Sequence, residues 1–133
     1  MHTKILLILI ALAELVAGAC LLFVPSNFAG LFFGEALNSD VALLVGRLAG
    51  LALVAMGLTC WLEKPGSDGS LPFNQLAGLL FYNGAVTVLF VYSFFINGSG
   101  GPLLWPAAIL HAAFTIWLAL VFKISAQKTT TGR

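Results

Sequence analysis

Four strongly polar side chains stand inside long apolar runs of this sequence, one to each run. Glu14 lies halfway along residues 5–24, Arg47 in 41–62, Asn83 in 73–96 and His111 in 103–124. A carboxylate can hold a cation, exchange a proton or accept hydrogen bonds. A guanidinium grips a carboxylate with two parallel bonds, an imidazole moves a proton near neutral pH, and a carboxamide both donates and accepts. In hydrocarbon such groups find no water, and a charge at the centre of a bilayer costs roughly 2.5–3.5 kcal/mol on insertion scales. Each must therefore meet a protein partner or a wet pocket. Glu14 and Arg47 are the one pair of opposite charges well inside the runs, which predicts an ion pair between them. Asn83 and His111 are then placed to satisfy the remaining donors and acceptors. Tyr82, Thr87 and Thr115 could extend that network, although Tyr82 and Asn83 point about 100° apart on a helix.

The elements that position these groups follow from the runs themselves. Twenty residues at about 1.5 Å each make a helix of about 30 Å, the thickness of the hydrocarbon core. The chain has 133 residues, 60% hydrophobic and 8% charged, against about 25% charged in a soluble domain. The expected fold is an all-α membrane protein, a four-transmembrane-helix antiparallel bundle. One transmembrane domain is expected over residues 1–124, with a disordered polar tail over 125–133. Between the first two spans, Pro25-Ser26-Asn27 ends one helix and opens another. The segment Phe28-Ala29-Gly30-Leu31-Phe32-Phe33 predicts a short helix at the membrane interface. Lys4, Lys64, Lys123, Lys128 and Arg133 all fall on one side of this topology, and the first and third loops carry no base. Both termini are expected in the cytoplasm, with the chain multi-pass in a bacterial inner membrane.

In register, the four polar groups lie roughly 15, 9, 18 and 13 Å from the outer ends of their spans. They are expected to converge on one layer in the middle to outer half of the bundle. Two readings of that layer stand side by side. In one, the ion pair fixes helix register and Asn83 and His111 join helices. In the other, the layer lines a water-accessible pocket in which Glu14 or His111 exchanges protons or holds a small ligand. The residue set offers little else. Haem ligation lacks a second axial residue at the right depth, and Glu14 with His111 gives two of the three or four ligands a zinc site takes. No phosphate-cradling glycine loop or Ser–His–carboxylate spacing occurs. No cofactor is expected, and the net charge of +1 gives no reason for nucleic acid. Cys20 and Cys60 fall toward opposite membrane faces, which predicts free thiols. The aromatic residues Phe81, Phe90, Phe94, Phe95, Phe114 and Trp117 read as lipid-facing or packing groups. Gly46-x-x-x-Gly50 is a close-packing spacing that could also serve a homo-oligomer.

The segments AEL around Glu14, GRLAG around Arg47, Tyr82-Asn83 and LLWPAAILHA around His111 resemble short bacterial four-helix membrane proteins, loosely DoxX-like in size and topology. The resemblance covers nearly the whole chain and implies a four-helix fold in the inner membrane, and it carries over no activity. Ala13-Glu14 is also similar to the membrane-embedded Glu of small multidrug resistance transporters. Arg47, His111 and the absence of a Gly-rich kink in the third span depart from that family. The leading expectation is a non-enzymatic binding or accessory module serving a small apolar ligand or a larger membrane complex. The alternatives are a proton-linked small-molecule transporter acting as a homodimer, and a quinone-linked or lipid-modifying enzyme using His111. A cavity opening sideways beside His111 would mark the last.

Overall fold

The computed structural model describes residues 2–66, 69–98 and 100–131, apart from the side chains of 2 and 125–131. Lipid leaves the backbone no partner but itself, and the apolar runs accordingly form helices. In chain order they are α1 (His2–Phe23), α2 (Pro25–Phe33), α3 (Asp40–Leu62), α4 (Phe73–Asn97) and α5 (Leu104–Thr131). Four of them are long and apolar enough to cross a membrane, over Thr3–Phe23, Asp40–Leu62, Phe73–Asn97 and Leu104–Ile124. The molecule is an integral membrane protein with these four spans and a short helix between the first two. The polar stretch after Ile124, expected to be disordered, carries helical backbone to Thr131, and residues 132–133 lie outside the described ones.

Local chemistry sets the helix ends. Pro25 occupies the first turn of α2, where its missing N–H is not needed. Gly34, with φ of 80°, closes α2 in the left-handed conformation and donates its N–H to Gly30 O at 3.0 Å. Neither Ser26 nor Asn27 caps α2. The residue before Pro25 is Val24, and the Ser26 hydroxyl instead donates to Leu37 O at 3.1 Å, tying the loop to the helix. Ser39 caps α3, its hydroxyl accepting from Ala42 N at 3.1 Å. At the other end of α3, Lys4 Nζ donates to Trp61 O and Glu63 O at 3.0 and 2.8 Å. The start of α1 and the end of α3 therefore sit side by side, as antiparallel neighbours must.

The spans associate as two pairs, α1 along α3 and α4 along α5. A Cβ on Gly18 would lie 2.8 Å from Gly50 O, and one on Gly50 would lie 2.8 Å from Gly18 O. Those two glycines let the α1 and α3 backbones touch. A Cβ on Gly46 would meet Leu37 and Pro25 of the same chain. The Gly46/Gly50 face is therefore filled within the protomer and is not the oligomer surface that its spacing suggested. The pairs join through α1 and α5, while α2 touches α1, α3 and α5. Among the described residues, no Cα of α4 comes within 8 Å of α1 or α3.

Packing divides the bundle into a solid half and a hollow half. Leu6, Leu7, Ile10 and Ala11 of α1, Cys60 of α3, Leu76 and Leu79 of α4, and Phe114 and Leu118 of α5 form the buried core. All lie toward the end where α1 begins. The other half, toward α2, holds a cavity, and the polar layer lies between the two. Cys20 and Cys60 are both free.

Candidate functional site

Glu14 is 2% exposed and forms the boundary between the core and the cavity. The Tyr82 hydroxyl donates to its Oε2 at 3.1 Å. Its other oxygen, Oε1, is buried without a hydrogen-bond partner. A buried acceptor left bare loses its hydration with nothing in exchange, typically about 1–3 kcal/mol. Glu14, Ala17 and Leu21 follow at spacings of three and four, so one face of α1 carries the acid and the apolar wall above it.

The second polar pair ties α4 to α5. Asn83 is fully buried, and its Nδ2 donates to Leu79 O one turn back at 2.9 Å. That bond fixes which way the carboxamide faces and leaves Oδ1 toward His111 Nδ1, 2.9 Å away. Because Oδ1 only accepts, His111 Nδ1 carries the hydrogen, and Nε2 is the nitrogen left over. Nε2 has no partner among the described residues. Thr87 and Thr115 do not extend the network. Their hydroxyls turn back to Asn83 O and His111 O, each at 2.8 Å, a bond available to any helical threonine. Tyr82 instead takes the central place, its ring 5.9 Å from that of His111 and edge-on to it.

Above this floor is a cavity of about 420 Å³ to which all five helices contribute. Phe28, Phe32 and Phe33 come from α2, Val45, Gly46, Ala49 and Leu53 from α3, and Val86 and Phe90 from α4. Aromatic rings run continuously along one side. Phe28 lies 4.7 Å from Phe32, Phe32 lies 5.8 Å from Phe90, and Phe90 lies 6.0 Å from His111. Val45 and Ala49 line the cavity and are also exposed. With α3 and α4 apart, these residues mark a mouth that faces sideways.

Arg47 does not take part. It is exposed, and no ion pair forms among the described residues, so the predicted Glu14–Arg47 bridge is absent. Register and rotation explain why. The Gly18–Gly50 contact sets Glu14 level with Val54, and the seven residues from there to Arg47 span roughly 10 Å. At about 100° per residue, Arg47 also points roughly 140° away from the cavity-lining face of α3.

No family model matches the chain, and it has no match among curated proteins or solved structures. The geometry alone must therefore carry a functional reading. It brings Glu14, Asn83 and His111 together, makes Tyr82 the bridge and leaves Arg47 outside. Sequence reasoning missed the walls, above all Phe28 and Phe32. Their spacing of four was a usable sign, because it places both rings on one face of α2. Phe90, read as lipid-facing or packing, lines the cavity, whereas Phe81 and Phe95 are 79% and 67% exposed and Phe114 is in the core.

Proposed function

We propose that this protein binds a small lipophilic molecule in the cavity between its two helix pairs and takes it up sideways from the membrane. One observation carries the reading. A cavity with apolar and aromatic walls has the buried Glu14 in its lining, and one oxygen of that carboxylate has no hydrogen-bond partner among the described residues. Pockets for small molecules combine apolar walls with a few placed polar groups in this way. A molecule with an apolar body and a hydrogen-bond-donating head would fill the walls and complete Glu14 together. The orientation that fits the charge distribution puts both termini in the cytoplasm and the cavity in the outer half of the bilayer.

The test is native mass spectrometry of the protein released from its own membrane in mild detergent. The expected result is a retained small molecule, lost from Ala49→Phe, which fills the mouth at an exposed position that has room for a ring. A protein that carries nothing, and whose variant takes up added lipophilic probes as the wild type does, would overturn the reading.

A second reading, proton-linked transport through the same site, is favoured by one specific observation. With Arg47 on the far face of α3, no guanidinium competes with a substrate for Glu14. It predicts substrate-induced proton release that vanishes in Glu14→Gln. Binding without such release would leave the protein a binding module.

A further inference from the structure

Arg47 is the strongly polar span residue that the fold leaves unused, whatever the cavity holds. We propose that the α3 face around Arg47 docks a membrane-spanning helix of another protein, one that carries a carboxylate at the same depth.

Arg47 stands seven residues after Asp40, the first residue of α3, and so about 10 Å along the span. It is exposed on a helix long and apolar enough to cross the membrane. Among the described residues it has neither an ion pair nor a hydrogen bond. A guanidinium keeps its charge at any physiological pH and is costly to leave against acyl chains without a counter-charge.

The residues around it give the shape of the partner. Leu44, Leu51 and Leu58 recur every seven residues with Arg47 between the first two, and each leucine is about half exposed. Spacings of three and four make the seam along which two helices pack at a shallow angle. A single polar residue in such a seam sets which helix fits and in what register. The glycines that meet α1, Gly50 and Gly57, lie about 100° round the helix from this stripe. The cavity-lining face lies on the far side, so a helix seated on the stripe leaves the mouth clear.

Charge chooses the occupant. The one-sided distribution of lysines gives all copies of this chain the same orientation. Two such copies packed through α3 would set Arg47 against Arg47, with Asp40 two turns away from that level. Glu14, the other acid within the spans, is 2% exposed and closed to a neighbour. A lipid phosphate is also a poor match. Arg47 is the one lysine or arginine in its half of the bilayer, and the exposed Glu35 and Asp40 stand at the surface beside it. An anionic head group meets those two acids before it reaches the guanidinium. A carboxylate on a neighbouring helix arrives from the side, at depth, and can take two parallel hydrogen bonds.

The probe is a synthetic leucine-based span of about 20 residues. It carries one Glu placed level with residue 47, and matched peptides carry Gln, Leu or Lys there. Association with the full-length protein in phosphatidylcholine vesicles is read by energy transfer between a dye on each. The Glu peptide should associate about tenfold more strongly than the Leu peptide, with Gln between them. Arg47→Gln should bring the Glu and Leu peptides to within about threefold of each other, and Arg47→Glu should move the preference to the Lys peptide. Should neither variant fold, the preference of the wild type for Glu over Gln and Leu decides alone.

Equal association of the Glu and Leu peptides overturns the proposal, as does a preference for Glu that survives in Arg47→Gln. Two other results overturn it by giving the guanidinium a different partner. Self-association of the wild type that is lost in Arg47→Gln assigns a second copy. Retention of phosphatidylglycerol over phosphatidylcholine that is lost in the same variant assigns a lipid phosphate.

Discussion

Glu14 is only half satisfied, with one oxygen held and the other bare. Its only hydrogen-bond donor among the described residues is the Tyr82 hydroxyl. Tyr82→Phe should therefore lower unfolding free energy by about 1–3 kcal/mol, because it strands a second carboxylate oxygen. Denaturant unfolding in mixed micelles measures this, and an unchanged midpoint would show that the hydroxyl bond contributes nothing. Arg47→Gln should not destabilise the fold, because the guanidinium is exposed within its span and forms no ion pair among the described residues. A loss of about 3–5 kcal/mol, the usual result of splitting a buried ion pair, would bring the guanidinium back to Glu14. That Glu14, Arg47, Asn83 and His111 call for partners follows from residue types alone, and Arg47 forms no ion pair among the described residues. Which partner each finds does not, since an acid is satisfied by a phenol as well as by a guanidinium. Only rotation and register choose.

At the scale of helices, two backbone approaches hold the architecture. Gly50→Val should force α1 off α3, since even a Cβ there would meet Gly18 O and Leu22 N at 2.8 Å. The expected loss is about 1–3 kcal/mol or more, read as a lower melting temperature in detergent. A wild-type melting curve would mean that the two helices can part without penalty. The second approach pins α2. Gly101 N donates to Phe32 O at 2.8 Å and Leu103 N to Leu31 O at 3.0 Å, and any Cβ on Gly101 would overlap the Leu31 carbonyl. Gly101→Ala should break that clamp and speed amide exchange at residue 103 and along α2. Unaltered protection would show that the α4–α5 loop does not hold α2 in place. The four membrane spans were legible from hydropathy to within two residues at each end, although the helices themselves begin at His2 in α1 and run on to Thr131 in α5. The clamp was not, because backbone-to-backbone bonds leave no mark on residue type.

For the whole molecule, the decisive feature is that α3 and α4 stand apart. A mouth between them should open into lipid rather than water. Spin labels on Val45 and Val86, residues of α3 and α4 that both line the cavity, should collide with oxygen dissolved in the bilayer far more than with a water-soluble nickel complex. The reverse pattern would place the mouth toward solvent and remove the sideways route. The division into a packed half and a hollow half was not visible beforehand. Apolar runs look alike whether they close on a core or line a space, and the difference lies in which side chains meet across the bundle.

The sequence by itself determined that this chain spans a membrane four times and where the spans break, and it set one demand for a partner on Glu14, Arg47, Asn83 and His111, which hydrogen bonds meet at the first, third and fourth. Length, hydropathy and the desolvation of polar groups are properties of single segments, so a single segment reveals them. Tertiary structure alone decided that Asn83 serves His111, that Tyr82 serves Glu14, that Arg47 turns away, and that a cavity stands over the acid. Those outcomes depend on the angular and axial offsets between helices. Here the offsets follow from the close contact of Gly18 with Gly50, which fixes α1 against α3 and carries Arg47 out of reach.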